Sequence, residues 1–234
     1  MNYNRIFRQL TVWLFIVQFC KAQDTISRNH PYFLSIGLAY ATSKVFGSMT
    51  DHILESWNPA GGKLHMNNNG SFAIGVQLQN HLSDYVFIRS GLSYIQKQVQ
   101  PEYETIVLYQ DSLKTGYISV PVIAGANFFP VNNSVFNLGV ECGFMFNFRA
   151  SDKSKTSPAS VGLQSHSTVS LCPGVVLTLA ASPNQRFLFH YTYIYDLTNA
   201  YTETLWLSPF DPNHQYYYRY KTNLFSVEYQ FALF

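Results

Sequence analysis

Charge is scarce in this sequence: Asp, Glu, Lys and Arg make up 12% of it, about half the usual share. A water-soluble β-sandwich would carry more charge on its outer faces. Cysteine is scarce as well, three in 234 residues. That excludes a disulfide framework, and neither Cys142 nor Cys172 has the spacing of a zinc site. Long apolar runs are missing beyond residue 22, where no stretch reaches the ~18–20 residues that a transmembrane helix needs. No cofactor-binding motif is present, and no group of histidines and acids has metal-ligand spacing.

What is abundant is the aromatic ring, 17% of residues. The N-terminus has to be set aside first. Arg5 and Arg8 precede an apolar run, Leu10–Cys20, and Cys20-Lys21-Ala22 places small residues three and one positions before Gln23. This is the layout of a cleaved secretory signal peptide, so residues 1–22 are expected to be removed and residues 23–234 to form one domain. The full chain carries 15 Lys+Arg and 13 Asp+Glu. Removing Arg5, Arg8 and Lys21 leaves 12 against 13, a net −1, and no basic patch for nucleic acid survives.

Alternation then gives the fold. Leu34, Ile36, Leu38 and Tyr40 oppose Ser35, Gly37 and Ala39, and Phe72, Ile74, Val76 and Leu78 oppose Ala73, Gly75 and Gln77. The same period of two marks segments beginning near Val86, Tyr117, Phe136, Phe187 and Phe225. Thr168–Ala181 is apolar but poorly phased. Period two marks half-buried strands. The bulky face is aromatic and its opposite carries glycine, alanine and serine, which fits a narrow barrel with lipid outside. The expectation is an all-β fold, an eight-stranded antiparallel up-and-down transmembrane β-barrel. The rival is a soluble sandwich or lipocalin-type binder, whose alternation would have the opposite sign.

Connections support the barrel. Long ones, Thr42–Gly70, Gln96–Gly116, Arg149–Ser167 and Leu197–Tyr216, alternate with short ones, Asn80–Asp84, Phe128–Ser134 and Ser182–Gln185. Long external loops and short periplasmic turns are the outer-membrane arrangement. Lys21-Ala22-Gln23, the strand Tyr117-Ile118-Ser119-Val120-Pro121-Val122, the Gly139/Gly143 strand and the terminal Val227–Phe234 segment resemble the outer-membrane β-barrels common in Bacteroidota, the porin-like or PorT-like group. Phe234 departs from the usual pattern, falling out of phase with the row that ends at Leu233. The resemblance implies outer-membrane location, contact with outer-membrane lipid, and folding by the barrel-assembly machinery through strand 225–234. It also implies an accessory role in secretion or surface assembly.

Candidate functional residues follow from parity. Arg89, Glu141, His190 and Glu228 fall on lumen faces at comparable depth, so Arg89 is expected to meet Glu141 or Glu228. A buried ionic group has to be paired or hydrated. The bland reading is a structural plug and the sharper one a gate or binding site whose pairs exchange partners; for the whole barrel, a narrow conduit for small solutes is the alternative to a structural, binding or secretion-accessory role. Tyr201, Trp206, Phe210 and Tyr216, Tyr217 and Tyr218 in the last long loop read as a girdle at the headgroups, or as a contact surface for a glycan or partner protein. His166-Ser167-Thr168 is the nearest approach to a lipid-modifying membrane enzyme. It lacks an acidic partner, and the expectation is no catalysis. Cys142 and Cys172 are expected as unoxidised thiols facing lipid.

Overall fold

The computed structural model describes residues 32–47, 64–68, 70–103, 113–130, 135–152, 160–164, 166–182, 184–205 and 215–233. The expected signal peptide, and with it the domain start at residue 23, lies outside these residues. Among the described residues there are twelve strands: β1 Tyr32–Phe46, β2 Leu64–Asn68, β3 Gly70–His81, β4 Val86–Tyr103, β5 Leu113–Asn127, β6 Phe136–Asp152, β7 Ser160–Gln164, β8 Ser167–Leu171, β9 Gly174–Ser182, β10 Gln185–Asp196, β11 Tyr201–Leu205 and β12 Gln215–Ala232. The ring runs β1, β3, β4, β5, β6, then β8 with β9, then β10 and β12, and β12 pairs back onto β1. Every pairing in the ring is antiparallel, and all but the closing β12–β1 pair join staves that follow one another along the chain. Eight staves therefore close an up-and-down barrel, which leaves no edge in the wall.

The sixth stave, poorly phased in the sequence, is one continuous strand. Its residues keep a single register against β6 and β10 on both sides of Cys172-Pro173. The break between β8 and β9 falls where Pro173 has no N–H to donate. Cys172 N still donates to Gly143 O at 2.9 Å, and Pro173 O accepts from Tyr193 N at 2.9 Å. Val169, Leu171, Val175, Leu177 and Leu179 face outward. The pattern is blurred because the inward positions Cys172 and Val176 are apolar too, both at most 2% exposed.

That register overturns the expectation for the cysteines. Cys142 is exposed on the outer face, whereas Cys172 is buried inside the barrel, and both are free thiols. They sit on adjacent staves but on opposite faces of the wall.

The outer face is apolar throughout its middle: Leu38 is 65% exposed, Phe72 53%, Leu92 53% and Val227 50%. A surface of this kind is far larger than the apolar patches that soluble proteins tolerate. The inner face carries Ser35, Ser119, Asn147, Thr222 and Gln230, all at most 1% exposed. Glycine supplies room where inward side chains crowd. Without a Cβ at Gly125, the ring of Phe87 occupies the space beside β5.

Short turns close one end of the barrel. In the first, Ser83 Oγ accepts from Val86 N at 3.0 Å, and Leu82 N donates to Val86 O at 2.8 Å. At the other end the strands run on further than the alternation pattern indicated. The 18-residue β4 extends to Tyr103 and pairs with β2, and β11 pairs with both β7 and β12. A membrane crossing takes ~9–11 residues of tilted strand, so these extensions project beyond an apolar belt of ordinary height. The segments expected as loops thus contain paired strand.

Candidate functional site

Six staves converge on the centre of the lumen. Arg89 from β4 sends Nη2 to both carboxylate oxygens of Glu141 on β6, at 2.9 and 2.8 Å. A single guanidinium nitrogen thus faces both oxygens, a charge-assisted contact of the short kind. Its Nη1 lies 3.5 Å from Glu228 Oε1 on β12 and 3.0 Å from His190 Nε2 on β10. The other ring nitrogen of His190, Nδ1, is 3.4 Å from Glu141 Oε1. Glu228 is held further by Ser35 Oγ of β1, donating to Oε2 at 2.8 Å, and by Gln77 Nε2 of β3, donating to Oε1 at 3.2 Å. Thr192 Oγ1 donates to Glu141 at 3.4 Å. The four ionisable side chains singled out by parity therefore meet in one tier, each no more than 4% exposed. Both acids face Arg89, Glu141 by the shorter and better aligned contact.

The chain makes room for this tier. Gly37 pairs with Glu228, and a Cβ there would stand 2.6 Å from Glu228 Cγ. A partly open cavity of about 40 Å³ continues above the tier between Gly37, Gly75, Ser93, Thr192 and Ser226. Arg89 Nε and Gln77 Oε1 are buried without a hydrogen-bond partner among the described residues, and both side chains line this cavity.

A second ionic tier lies nearer the long-loop end and was not singled out in the sequence. Lys97 Nζ of β4 donates to Asp196 Oδ1 of β10 at 2.7 Å, with both side chains fully buried. Ser170 Oγ donates to the same oxygen at 2.6 Å, and Tyr220 N donates to Oδ2 at 3.2 Å. The rings of Tyr117 and Tyr220 flank the ammonium at 5.2 and 5.3 Å, within cation–π range. Inward parity alone could have found this pair. Lys97 lay hidden because the stretch from Gln96 onward reads as loop.

Apolar tiers separate the ionic ones. Ala73, Ile95, Met145, Cys172 and Ile194 form a buried cluster between the two, and Phe87, Val176 and Leu188 form another below the Arg89 tier. The inward residues of β10 read off the sequence of layers: Arg186, Leu188, His190, Thr192, Ile194, Asp196. Such a lumen is layered, with ionic and apolar tiers in alternation.

The remaining candidates are dispersed. Tyr201 and Tyr216–Tyr218 belong to the paired strands β11 and β12, not to an open loop; Tyr201 sits opposite Tyr218. Trp206 and Phe210 lie outside the described residues. His166 and Ser167 are exposed while Thr168 is buried, its Oγ1 accepting from Asn147 Nδ2 at 3.1 Å. These three residues thus share no common face for catalysis. Among the described residues no cluster of His, Cys, Asp and Glu has metal-binding geometry.

Comparison with known proteins agrees with this architecture. A family model described as outer membrane protein beta-barrel domain matches residues 27–202. Among solved structures, the outer membrane protein OprG from Pseudomonas aeruginosa is similar with a TM-score of 0.57 and 9% identity, over 86% of this chain and 96% of that one. Neisserial surface protein A gives 0.48 and 10% over 86% and 97%. The Escherichia coli outer membrane protein W gives 0.43 and 14% over 87% and 98%. No curated protein matches the sequence.

Proposed function

Since the chain belongs to the outer membrane protein beta-barrel domain family, we propose that it is a sealed outer-membrane barrel that acts through its long-loop end. Its role on this reading is structural or binding, including accessory service to secretion or surface assembly as in the PorT-like resemblance. The observation that carries the proposal is the lumen, where two buried ionic tiers alternate with two apolar clusters along the barrel axis. An eight-stranded barrel has just enough interior for side chains, and apolar constrictions exclude ions by dewetting. Strands continued past the apolar belt lift the long connections away from the bilayer, where a macromolecular partner can reach them.

On this reading the long-loop end faces outward and the short turns face the periplasm. Residues 1–22 are the export signal, and strand 225–234 is what the barrel-assembly machinery engages. Phe225, Val227 and Tyr229 support that last point, since they present an exposed apolar row on β12 beside the seam with β1.

Planar-bilayer recording of the purified barrel tests the sealed lumen. The expected result is no stepwise ion conductance in the parent chain. Regular single-channel openings would replace this reading with that of a narrow solute conduit, in which the Arg89 tier acts as the gate.

A further inference from the structure

On the outer wall, where the apolar belt ends towards the long loops, two lysines stand side by side with no acid between them. Lys44 on β1 is the direct partner of Lys221 on β12 in the seam that closes the barrel. Both fall on outward rows, Lys44 in step with Leu38 and Tyr40, and Lys221 in step with Phe225 and Val227. Like charges directly opposite on one face of an antiparallel pair repel and destabilise it. Among the described residues no carboxylate pairs with either lysine, and Glu141, Asp196 and Glu228 are buried in the lumen. The Lys221 ammonium lies 4.5 Å from the ring of Phe46 and 5.6 Å from that of Tyr195, and these two rings are 4.9 Å apart. Such cation–π contacts steady the ammonium but bring no net negative charge.

The register sets the depth of this pair. It runs from Leu34 opposite Phe231, near the short turns, to Lys44 opposite Lys221. A tilted strand crosses the hydrocarbon in ~9–11 residues, which is the length of residues 34–44 and 221–231. The two lysines therefore stand at headgroup level. Below them Leu38, Tyr40, Phe225 and Val227 present an exposed apolar surface for acyl chains, and Thr42 opposite Asn223 makes the step between.

We propose that the β1–β12 seam binds the phosphate monoester headgroup of a lipid in the leaflet at the long-loop end, with Lys44 and Lys221 sharing one phosphate. The charge fits, since a phosphate monoester carries about −1.5 to −2 at pH 7 against two ammonium groups. Lysine meets phosphate as a point charge, so no planar acceptor is required. The apolar rows directly below favour an anion that carries alkyl chains over a soluble one. Once bound, the phosphate turns a repulsive contact into a clamp across the strand pair that closes the barrel.

Native mass spectrometry of the full chain in mixed micelles tests this, with dimyristoyl phosphatidic acid and dimyristoyl phosphatidylcholine in equal amounts as probes. The parent barrel should retain one phosphatidic acid in preference to phosphatidylcholine, by about thirtyfold for two lysines at an anionic lipid surface. Replacing Lys44→Gln and Lys221→Gln together should abolish that preference. Lys114→Gln should keep it, because Lys114 is an outward lysine on β5, away from the seam. Both seam lysines lie on the surface, so the double variant should melt no lower than the parent in phosphatidylcholine alone, which separates lost binding from lost folding. Equal retention of the two lipids by the parent overturns the proposal without recourse to any variant. An undiminished preference in the double variant, or one lost equally in Lys114→Gln, overturns it as well. Inorganic phosphate retained in place of the lipid would make the occupant a soluble anion and also refute it.

Discussion

Replacing Glu141 by glutamine should destabilise the barrel more than the same change at Glu228, although the two acids share one tier. Glu141 makes both short contacts to Arg89, at 2.9 and 2.8 Å, whereas Glu228 approaches it only to 3.5 Å. Glu228 is held by neutral donors as well, Ser35 on Oε2 and Gln77 on Oε1; an amide oxygen can keep the bond from Gln77, and the Ser35 hydroxyl can rotate to accept from the new amide N–H. In Glu141→Gln the guanidinium loses its charged acceptor, and the new amide N–H group faces Arg89 donor to donor. Breaking one side of a buried pair costs about 3–5 kcal/mol. Losing a single hydrogen bond to a charged group costs about 1.5–3 kcal/mol. The first figure applies to Glu141→Gln and the lower end of the second to Glu228→Gln. Reversible urea unfolding in lipid vesicles reads both. A Glu228→Gln cost equal to or above that of Glu141→Gln would refute the assignment of Glu141 as the principal partner. The paired replacement Arg89→Leu with Glu141→Leu should cost less than the sum of the single changes, because it removes both members of the shortest pair and leaves Glu228 with its contacts to Ser35, Gln77 and His190.

Other expectations follow from the same geometry. Val140→Arg and Phe189→Arg place a cation on the exposed apolar belt and should each cost about 2–4 kcal/mol in vesicle folding; harmless variants would mean that this face does not meet lipid. Gly37→Ala should displace the Glu228 carboxylate from Ser35, read as loss of the Ser35 hydroxyl hydrogen bond by NMR, while the outer face stays unchanged. Asp196→Asn should weaken the barrel more than Ser170→Ala, since only the former strands the buried Lys97 ammonium; equal effects in urea unfolding would contradict this. Cysteines introduced at Asn58, Ser154 and Asn213 should react with an impermeant reagent on intact cells, and those at Leu82, Asn132 and Pro183 should not; the reverse pattern would invert the orientation.

The sequence carried the wall of the barrel more clearly than its contents. Outward rows such as Phe72-Ile74-Val76-Leu78 are legible because lipid accepts any apolar shape, so period two goes uninterrupted. Arg89, Glu141, His190 and Glu228 were legible for the converse reason: a charge on the small-residue face of an alternating strand has nowhere to go but the lumen. Where the lumen is itself apolar, that contrast is lost. Ile95, Val99, Cys172 and Val176 face inward and make their strands read as apolar on both sides. This hid the continuation of β4 past Ile95, and with it Lys97, and it misplaced Cys172. The strand pairs β2–β4 and β7–β11 were read as loop because their pairing partners are distant in sequence, and no local pattern records them.

The tiers also explain how the register of so uniform a barrel is fixed. A slip of one residue would turn every side chain to the opposite face and is forbidden by the lipid. A slip of two residues keeps the faces and costs the outer wall little, because one apolar residue there replaces another. Inside, the same slip is expensive. Moving β4 by two positions against its neighbours would set Phe87 or Gly91 at the level of Glu141 and leave its carboxylate unpaired. The same movement would carry Lys97 away from Asp196 and set an apolar side chain in its place. Two ionic tiers separated by apolar ones thus penalise every slip that the membrane-facing pattern permits. On this account the buried ion pairs contribute register specificity beyond their net stability. Register alone is therefore a reason for the barrel to retain them, whatever passes through it.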